Sequence, residues 1–147
     1  MMNNPQKLGP YTGVRVVELG ALIAGPSCGK YLADHGADVI KIERYPLGDI
    51  SRYSNRTSAK RSPMFLQHNA GKRSICVDIK KPDGLEIVRG LCDKADVVIQ
   101  AFTPGTMDRL GLGYEALKKT NPEGKSVLPT SSIILLPLCY LGDNSLC

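Results

Sequence analysis

The feature that most constrains the fold is a strand–helix–strand pattern near the N-terminus. The β-branched run Val14–Leu19 lies between two glycines and predicts a strand. Pro26 suits the first residue of a helix, and Gly36 suits the left-handed residue that ends one. Ala37–Glu43 predicts a second strand. Two strands joined by one helix form a βαβ unit, in which the strands are parallel and the crossover is right-handed.

The same pattern continues along the chain. Arg73–Ile79 alternates apolar and polar residues as a strand does, and Pro82 opens an amphipathic helix. Asp96–Gln100 predicts a further strand, and two short helices follow over Pro104–Leu110 and Tyr114–Lys119. These elements predict an α/β fold with an open parallel sheet and flanking helices. We place this domain, which we expect to be incomplete, at residues 13–124, after an N-terminal extension over residues 1–12.

Two details of this pattern bear on the structure below. In the first helix the spacing predicts that Cys28, Tyr31 and Leu32 face inward. Tyr45–Gln67 is polar, basic and irregular, and it is too long for a simple connector. We therefore expect a functional or a mobile loop there.

Charge and cysteine usage narrow the function classes. The net charge of +5 and the pI of about 9.0 favour anionic partners. The basic residues are scattered, without an arginine-rich arm, zinc-finger spacing or an aromatic platform, so a phosphorylated cofactor is a better partner than nucleic acid. The 5 cysteines include no CxxC pair, which argues against a disulfide framework and a metal site. A polar N-terminus and no long apolar segment predict a soluble, cytoplasmic protein without a membrane span.

Three segments are candidates for binding an anion. Gly20–Pro26 joins a strand to a helix N-terminus, although it has neither GxGxxG nor P-loop spacing. Tight packing of the helix on the strand would explain its two glycines equally well. Asn69–Ser74 is a basic turn before a strand, and Phe102–Leu110 follows a strand end. Glu43, at the end of the second strand, resembles the ribose-binding acid of a dinucleotide fold, but the glycine fingerprint is missing.

Sites of open α/β sheets lie at the carboxyl ends of the strands. Arg44 follows the second strand, and Phe102 follows the strand that ends at Gln100, so both meet this condition. Arginine can pair with phosphate in a bidentate way and stack on a base, whereas lysine acts as a point charge. For any single basic residue, a solvated surface charge remains the simpler interpretation.

Together these segments resemble the N-terminal part of the class III CoA-transferases. That family includes formyl-CoA and carnitine CoA-transferases and α-methylacyl-CoA racemases. The resemblance extends in order from Gly13 to Pro122 and rests on Gly13–Leu19, Ala24–Pro26, Leu32–Glu43, Asn69–Ile75 and Pro104–Leu117.

The resemblance implies a Rossmann-like CoA-binding domain within a longer chain, and homodimers whose two chains are interlinked. It implies CoA or acyl-CoA as ligand, a carboxylic acid as acceptor, and no metal. Arg44 is expected at the adenine end, Lys72 and Arg109 at phosphates, and Phe102 and Met107 as apolar walls. Ala101 stands where transferases of the family usually have an asparagine, which affects the substrate class. The positions that match CoA-contacting residues are Leu22, Ile23, Ala24, Arg44, Lys72, Phe102, Met107 and Arg109.

The resemblance assigns no catalytic residue to this chain. The transferases use an aspartate as a covalent shuttle, and it lies beyond the matched region, as does the racemase acid/base pair. We do not assign Asp143, which lacks matching neighbours. We expect residues 125–147 to form an atypical tail, non-native or disordered, in which Asp143 is the only acidic residue. A shifted reading frame or a damaged gene near Glu123 would explain it.

We therefore expect the N-terminal part of a CoA-transferase that binds CoA and is inactive alone. A racemase of the same family, a non-catalytic CoA- or nucleotide-binding module, and half of a dinucleotide-binding dehydrogenase are the alternatives.

Overall fold

The computed structural model describes residues 9–127, and in this part of the chain five parallel strands form one sheet. The strands run in the order β3-β2-β1-β4-β5. Their bounds are β1 Arg15–Leu19, β2 Asp38–Arg44, β3 Arg73–Val77, β4 Val97–Gln100 and β5 Lys125–Val127. The predicted α/β fold with a parallel sheet and flanking helices is confirmed.

The strand order fixes where a ligand can enter. After β1 the chain adds β2 and β3 on one side, and then β4 and β5 on the other side of β1. The direction in which strands are added to the sheet therefore reverses between β1 and β4, where Leu19 lies beside Gln100. Such a switch point leaves a crevice at the carboxyl ends of the strands, because the two connections leave in opposite directions.

The helices begin and end where the sequence carries the expected signals. Pro63 and Pro82 lie in the first turns of their helices, and the Ser62 side chain accepts a hydrogen bond from the Phe65 N–H. The bounds are α1 Ala24–Asp34, α2 Pro63–Asn69, α3 Pro82–Cys92, α4 Thr106–Arg109 and α5 Tyr114–Thr120.

The sheet is covered on both faces, and β1 sends alternate residues to two separate cores. Val17 and Leu19 pack with Val88 of α3, whereas Val16 packs with Leu32 of α1. This alternation is the period of a strand, and burial on both faces explains the nearly continuous apolar runs. Cys92 lies in the first core, and burial raises the pKa of its thiol to about 12.

Helix α1 corrects one prediction. Cys28 and Leu32 pack against the sheet, but the Tyr31 side chain is 51% exposed, so its predicted inward position is wrong. The Tyr31 ring contacts the His35 ring instead, with centroids 4.3 Å apart. An amphipathic tyrosine can satisfy the helical spacing from the edge of the apolar face.

The other differences concern element boundaries. The segment from Tyr45 to Gln67 contains a 3₁₀ turn, Ile50–Tyr53, and most of α2, so much of it is regular. Strand β3 ends at Val77, two residues earlier than predicted. The sheet continues through β5, beyond the domain end that we placed at residue 124. Residues 1–8 of the predicted extension and residues 128–147 of the predicted tail lie outside the described residues.

Among the described residues, no helix is both long enough and apolar enough to cross a membrane.

Stability should depend far more on the sheet core than on the outer face of α3. Ile99 is fully buried, whereas Ile87 is half exposed. Ile99→Ala should lower the free energy of unfolding by about 2–5 kcal/mol, and Ile87→Ala by less than about 0.5 kcal/mol. Urea unfolding followed by circular dichroism measures both. Equal losses in the two variants would contradict the described core.

Candidate functional site

A cleft of about 560 Å³ opens at the carboxyl ends of β1, β2, β3 and β4. It lies at the switch point of the sheet, where ligands of open α/β folds bind. Its walls combine apolar side chains with charged groups and exposed backbone. They include Gly20, Ala21, Ile42, Arg44, Tyr45, Val77, Asp78, Ile79, Lys80, Phe102, Thr106 and Leu110.

Cations and an aromatic ring meet in this cleft from three different strand ends. Arg44 is the last residue of β2, Lys80 follows β3, and Phe102 follows β4. The Arg109 Nη2 donates a hydrogen bond of 3.1 Å to the Thr106 Oγ1, and Thr106 lines the cleft. Arg109 thus contacts a residue of the cleft wall without lining the cleft itself. An anionic ligand with an aromatic base would find separated positive charges and an apolar surface here.

The loop between β1 and α1 forms one edge of the site. A Cβ on Gly20 would lie 2.9 Å from the Gly25 Cα, so the two glycines permit a close approach of strand and helix. This supports the packing interpretation of the glycines, whether or not the loop also meets a phosphate. Leu22 has φ +65°, a left-handed conformation that costs a residue with a Cβ about 1–2 kcal/mol. Leu22 and Ile23 are nonetheless 45% and 53% exposed.

Beneath this loop lies a cluster of buried charges that we call the charge cluster: Glu18, Lys41, Asp49 and Lys72. The Lys41 Nζ lies 2.8 Å from the Glu18 Oε1 and 2.8 Å from the Asp49 Oδ2. The Lys72 Nζ lies 2.6 Å from the Glu18 Oε2. Two acids and two bases balance each other where water is excluded, and buried charges require such pairing.

A second ion pair adjoins the charge cluster. Arg52 donates to both Glu43 carboxylate oxygens, through Nε at 2.7 Å and Nη2 at 2.6 Å. The guanidinium also lies 3.8 Å from the centroid of the Phe65 ring, which ties α2 to this pair. Glu43 is therefore engaged, and its resemblance to a ribose-binding acid has no support in the geometry.

The pKa values of Glu43 and Asp49 are lowered, so these two carboxylates stay ionised. Burial opposes the charge on Glu43, but hydrogen bonds from Arg52 and from the Asp49 N–H outweigh it and lower the pKa of Glu43. Burial likewise opposes the charge on Asp49, and hydrogen bonds from Lys41 and Ser51 lower its pKa overall. Burial lowers the pKa of Lys72 in spite of the Glu18 charge.

The structure brings some of the predicted site residues together and separates others. Arg44 and Phe102 line the cleft, and Arg109 lies beside it. Ala24 begins α1, so the predicted Leu22, Ile23 and Ala24 form the exposed edge described above. Met107 is buried in the first core, below the cleft wall.

Lys72 takes a position that the phosphate prediction did not foresee. Its side chain is 1% exposed, and its ammonium donates to Glu18, to the Pro26 carbonyl at 2.8 Å and to the Asn69 Oδ1 at 3.1 Å. An ammonium has three N–H donors, and all three are used. In this geometry Lys72 supports the site from beneath and does not face the cleft.

The sequence reasoning missed Lys80 and Asp78, which line the cleft after β3. The signal was available, because residues that follow a predicted parallel strand lie at the carboxyl edge. The predicted basic turn Asn69–Ser74 leads into this strand and therefore lies at the opposite edge of the sheet. Among the described residues, no group of three or more His, Cys, Asp or Glu side chains could hold a metal ion.

Comparisons with known proteins agree with this architecture. The model of CoA-transferase family III matches residues 11–123. An acyl-CoA transferase of Fusarium pseudograminearum is 42% identical over 123 residues, which cover 78% of this chain and 27% of the relative. A succinyl-CoA–D-citramalate CoA-transferase of Chloroflexus aurantiacus is 43% identical over 114 residues, which cover 77% and 28%.

A solved structure supports the fold. A CAIB/BAIF family protein from Brucella suis aligns with a TM-score of 0.76 and 42% identity over 83% of this chain and 33% of that protein. The chain thus spans between a quarter and a third of the length of these relatives. The family match covers most of the described sheet and its cleft, so the chain belongs to CoA-transferase family III.

Proposed function

We propose that this chain is the CoA-binding part of a family III CoA-transferase, an enzyme that moves CoA between an acyl-CoA and a carboxylic acid. The observation that carries the proposal is the cleft at the switch point, which combines Arg44, Lys80 and Phe102. Transferases among the relatives favour this reaction over the racemase alternative.

The size and lining of the cleft suit the nucleotide end of CoA. Its volume of about 560 Å³ falls in the range of small-molecule pockets. Ile42, Val77, Ile79 and Phe102 provide apolar surface for a base, and Arg44 provides a guanidinium that can stack on it or pair with phosphate.

The phosphates of CoA would be shared among separated cations. Arg109 is exposed and, with its neighbour Thr106, borders the cleft on the β4 side, while Lys80 borders it on the β3 side. Leu22, Ile23 and Ala24 provide an exposed edge with backbone amides at the start of α1. Met107 acts indirectly, by supporting the wall from the core, and Lys72 acts from beneath the loop.

The acidic groups of the cleft suit binding better than acyl transfer. Acyl transfer through a carboxylate requires an oxygen that is free to attack. Glu43 is held by Arg52, and Asp49 is held by Lys41 and Ser51. Asp78 accepts the Lys80 N–H at 3.1 Å, and the family resemblance assigns no catalytic role to any of the three acids. We therefore propose that the shuttle aspartate is not among the residues of this cleft and that the chain alone binds CoA without turnover. A non-catalytic CoA-binding module, favoured by the same engaged carboxylates, is the second candidate.

Homodimerisation and the carboxylic acid acceptor belong to the proposal for the complete enzyme. The described part of the chain contributes the CoA cleft to it.

Calorimetric titration with CoA should show binding that depends on the cations of the cleft. Arg109→Ala should weaken CoA binding by about tenfold, because a hydrogen bond to a charged group is lost. Arg15→Ala is the matched control. Arg15 is also exposed, but it begins β1 at the opposite edge of the sheet, so affinity should not change. Equal affinities of the two variants, or tighter binding of NAD than of CoA by the wild type, would contradict the proposed site.

Turnover should be absent from the isolated chain. The chain is incubated with succinyl-CoA and a free carboxylate acceptor such as D-citramalate, and new thioesters are separated by chromatography. We expect no product above the rate without protein, because the family resemblance places the shuttle aspartate beyond the matched residues. Measurable acyl transfer would show that a catalytic group has been missed.

A further inference from the structure

We infer that Lys41, Asp49 and Lys72 are positioning residues that hold the β1–α1 loop, Gly20–Pro26, in the conformation that binds ligand. This inference rests on the proposed function for the ligand, and on contacts within the chain for the loop. Each of the three charged side chains bonds a different backbone atom of the loop, at its start, its middle and its end.

The start of the loop is held by Lys41. The Lys41 Nζ donates to the Gly20 carbonyl oxygen at 2.7 Å. Lys41 lies on β2 directly beside Glu18 of β1, and the two side chains form an ion pair. The lysine is therefore fixed by the sheet before it reaches the loop.

The middle of the loop is held by Asp49. The Leu22 N–H donates to the Asp49 Oδ1 at 3.3 Å, and this same oxygen accepts from the Ser51 N–H at 2.8 Å and the Ser51 hydroxyl at 2.7 Å. The other carboxylate oxygen contacts Lys41. Leu22 is the residue with φ +65°, so the hydrogen bond stabilises the loop at its least favourable backbone conformation.

The end of the loop is held by Lys72. Its Nζ donates to the Pro26 carbonyl oxygen, in the first turn of α1. A Cβ on Gly29 would lie 2.0 Å from the Glu18 Oε2, so only glycine allows α1 to cover the Glu18–Lys72 pair. The helix is thus seated directly on the charge cluster.

Lys41 and Asp49 border the cleft, but the contacts described above occupy their charged atoms. The side chains of Lys41, Asp49 and Lys72 are each only 1% exposed. Their effect on a ligand must therefore pass through the loop, whose Leu22 and Ile23 side chains face solvent. The residues that hydrogen-bond to the loop come from β2, from the segment after it and from the turn before β3. The loop can keep its conformation only while all three of these segments are in place.

The test compares variants of Asp49 with a variant of the neighbouring ion pair. Asp49→Ala removes both the acceptor for the Leu22 N–H and the partner of Lys41, whereas Asp49→Asn keeps an acceptor and the side-chain shape. Arg52→Gln is the matched control, since it breaks the bidentate pair with Glu43 and contacts no atom of the loop. Backbone amide hydrogen exchange of residues 20–27 and calorimetric titration with CoA are measured on each folded variant.

Asp49→Ala should speed amide exchange within residues 20–27 by about tenfold, which corresponds to the loss of one hydrogen bond. The same variant should weaken CoA binding by a similar factor. Asp49→Asn should show a smaller effect in the same direction, which keeps the test available if the alanine variant does not fold. Arg52→Gln should lower overall stability without changing exchange in the loop relative to β4.

Unchanged loop exchange in Asp49→Asn and Asp49→Ala, or an equal change in Arg52→Gln, would overturn the positioning role. Faster loop exchange with unaltered CoA affinity would overturn its link to the ligand. If the wild-type chain does not bind CoA, the proposed function fails, and the exchange measurement still decides whether the charge cluster holds the loop.

Discussion

The rest of the structure depends on the neutralisation of buried charge inside the sheet. Glu18 and Lys41 lie side by side on the two central strands, and Lys72 and Asp49 complete the set with equal numbers of each sign. Removing one member of such a set costs about 3–5 kcal/mol, because an unpaired charge is left in the interior. The charge cluster also joins the sheet to the loop above it, because Lys41, Asp49 and Lys72 bond backbone atoms of that loop.

Most of the fold could be predicted from the sequence, because hydrophobic periodicity reports burial directly. The predicted strands and helices lie within a few residues of their predicted bounds, since glycine and proline mark the ends of elements. Helix α2 was not predicted, because its segment is polar and irregular in sequence. The prediction that Tyr31 faces inward is wrong, because spacing alone does not distinguish the centre of an apolar face from its edge. Strand β5 falls within the predicted tail, because a strand of 3 residues has too short a pattern to detect.

The site was less predictable than the fold, since a sequence shows charges without their partners. Lys72 looked like a phosphate ligand because its partner Glu18 is 54 residues away along the chain. One signal is present: Glu18 and Lys41 each lie between two apolar residues of a strand, and their charges are opposite. Adjacent buried strands with such charges predict an internal ion pair. Arg44 and Phe102 follow predicted strands and line the cleft, because strand ends alone determine their positions.

The central claim is that the cleft at the carboxyl ends of the strands binds the nucleotide end of CoA above a loop held from beneath. A crystal structure of this chain with CoA tests it most directly. The account predicts the base against Phe102 and Arg44, phosphate oxygens within hydrogen-bonding distance of Arg109 or Lys80, and Lys72 still bonded to Glu18. CoA at the amino ends of the strands, or a Lys72 ammonium turned away from Glu18 onto a phosphate, would contradict it.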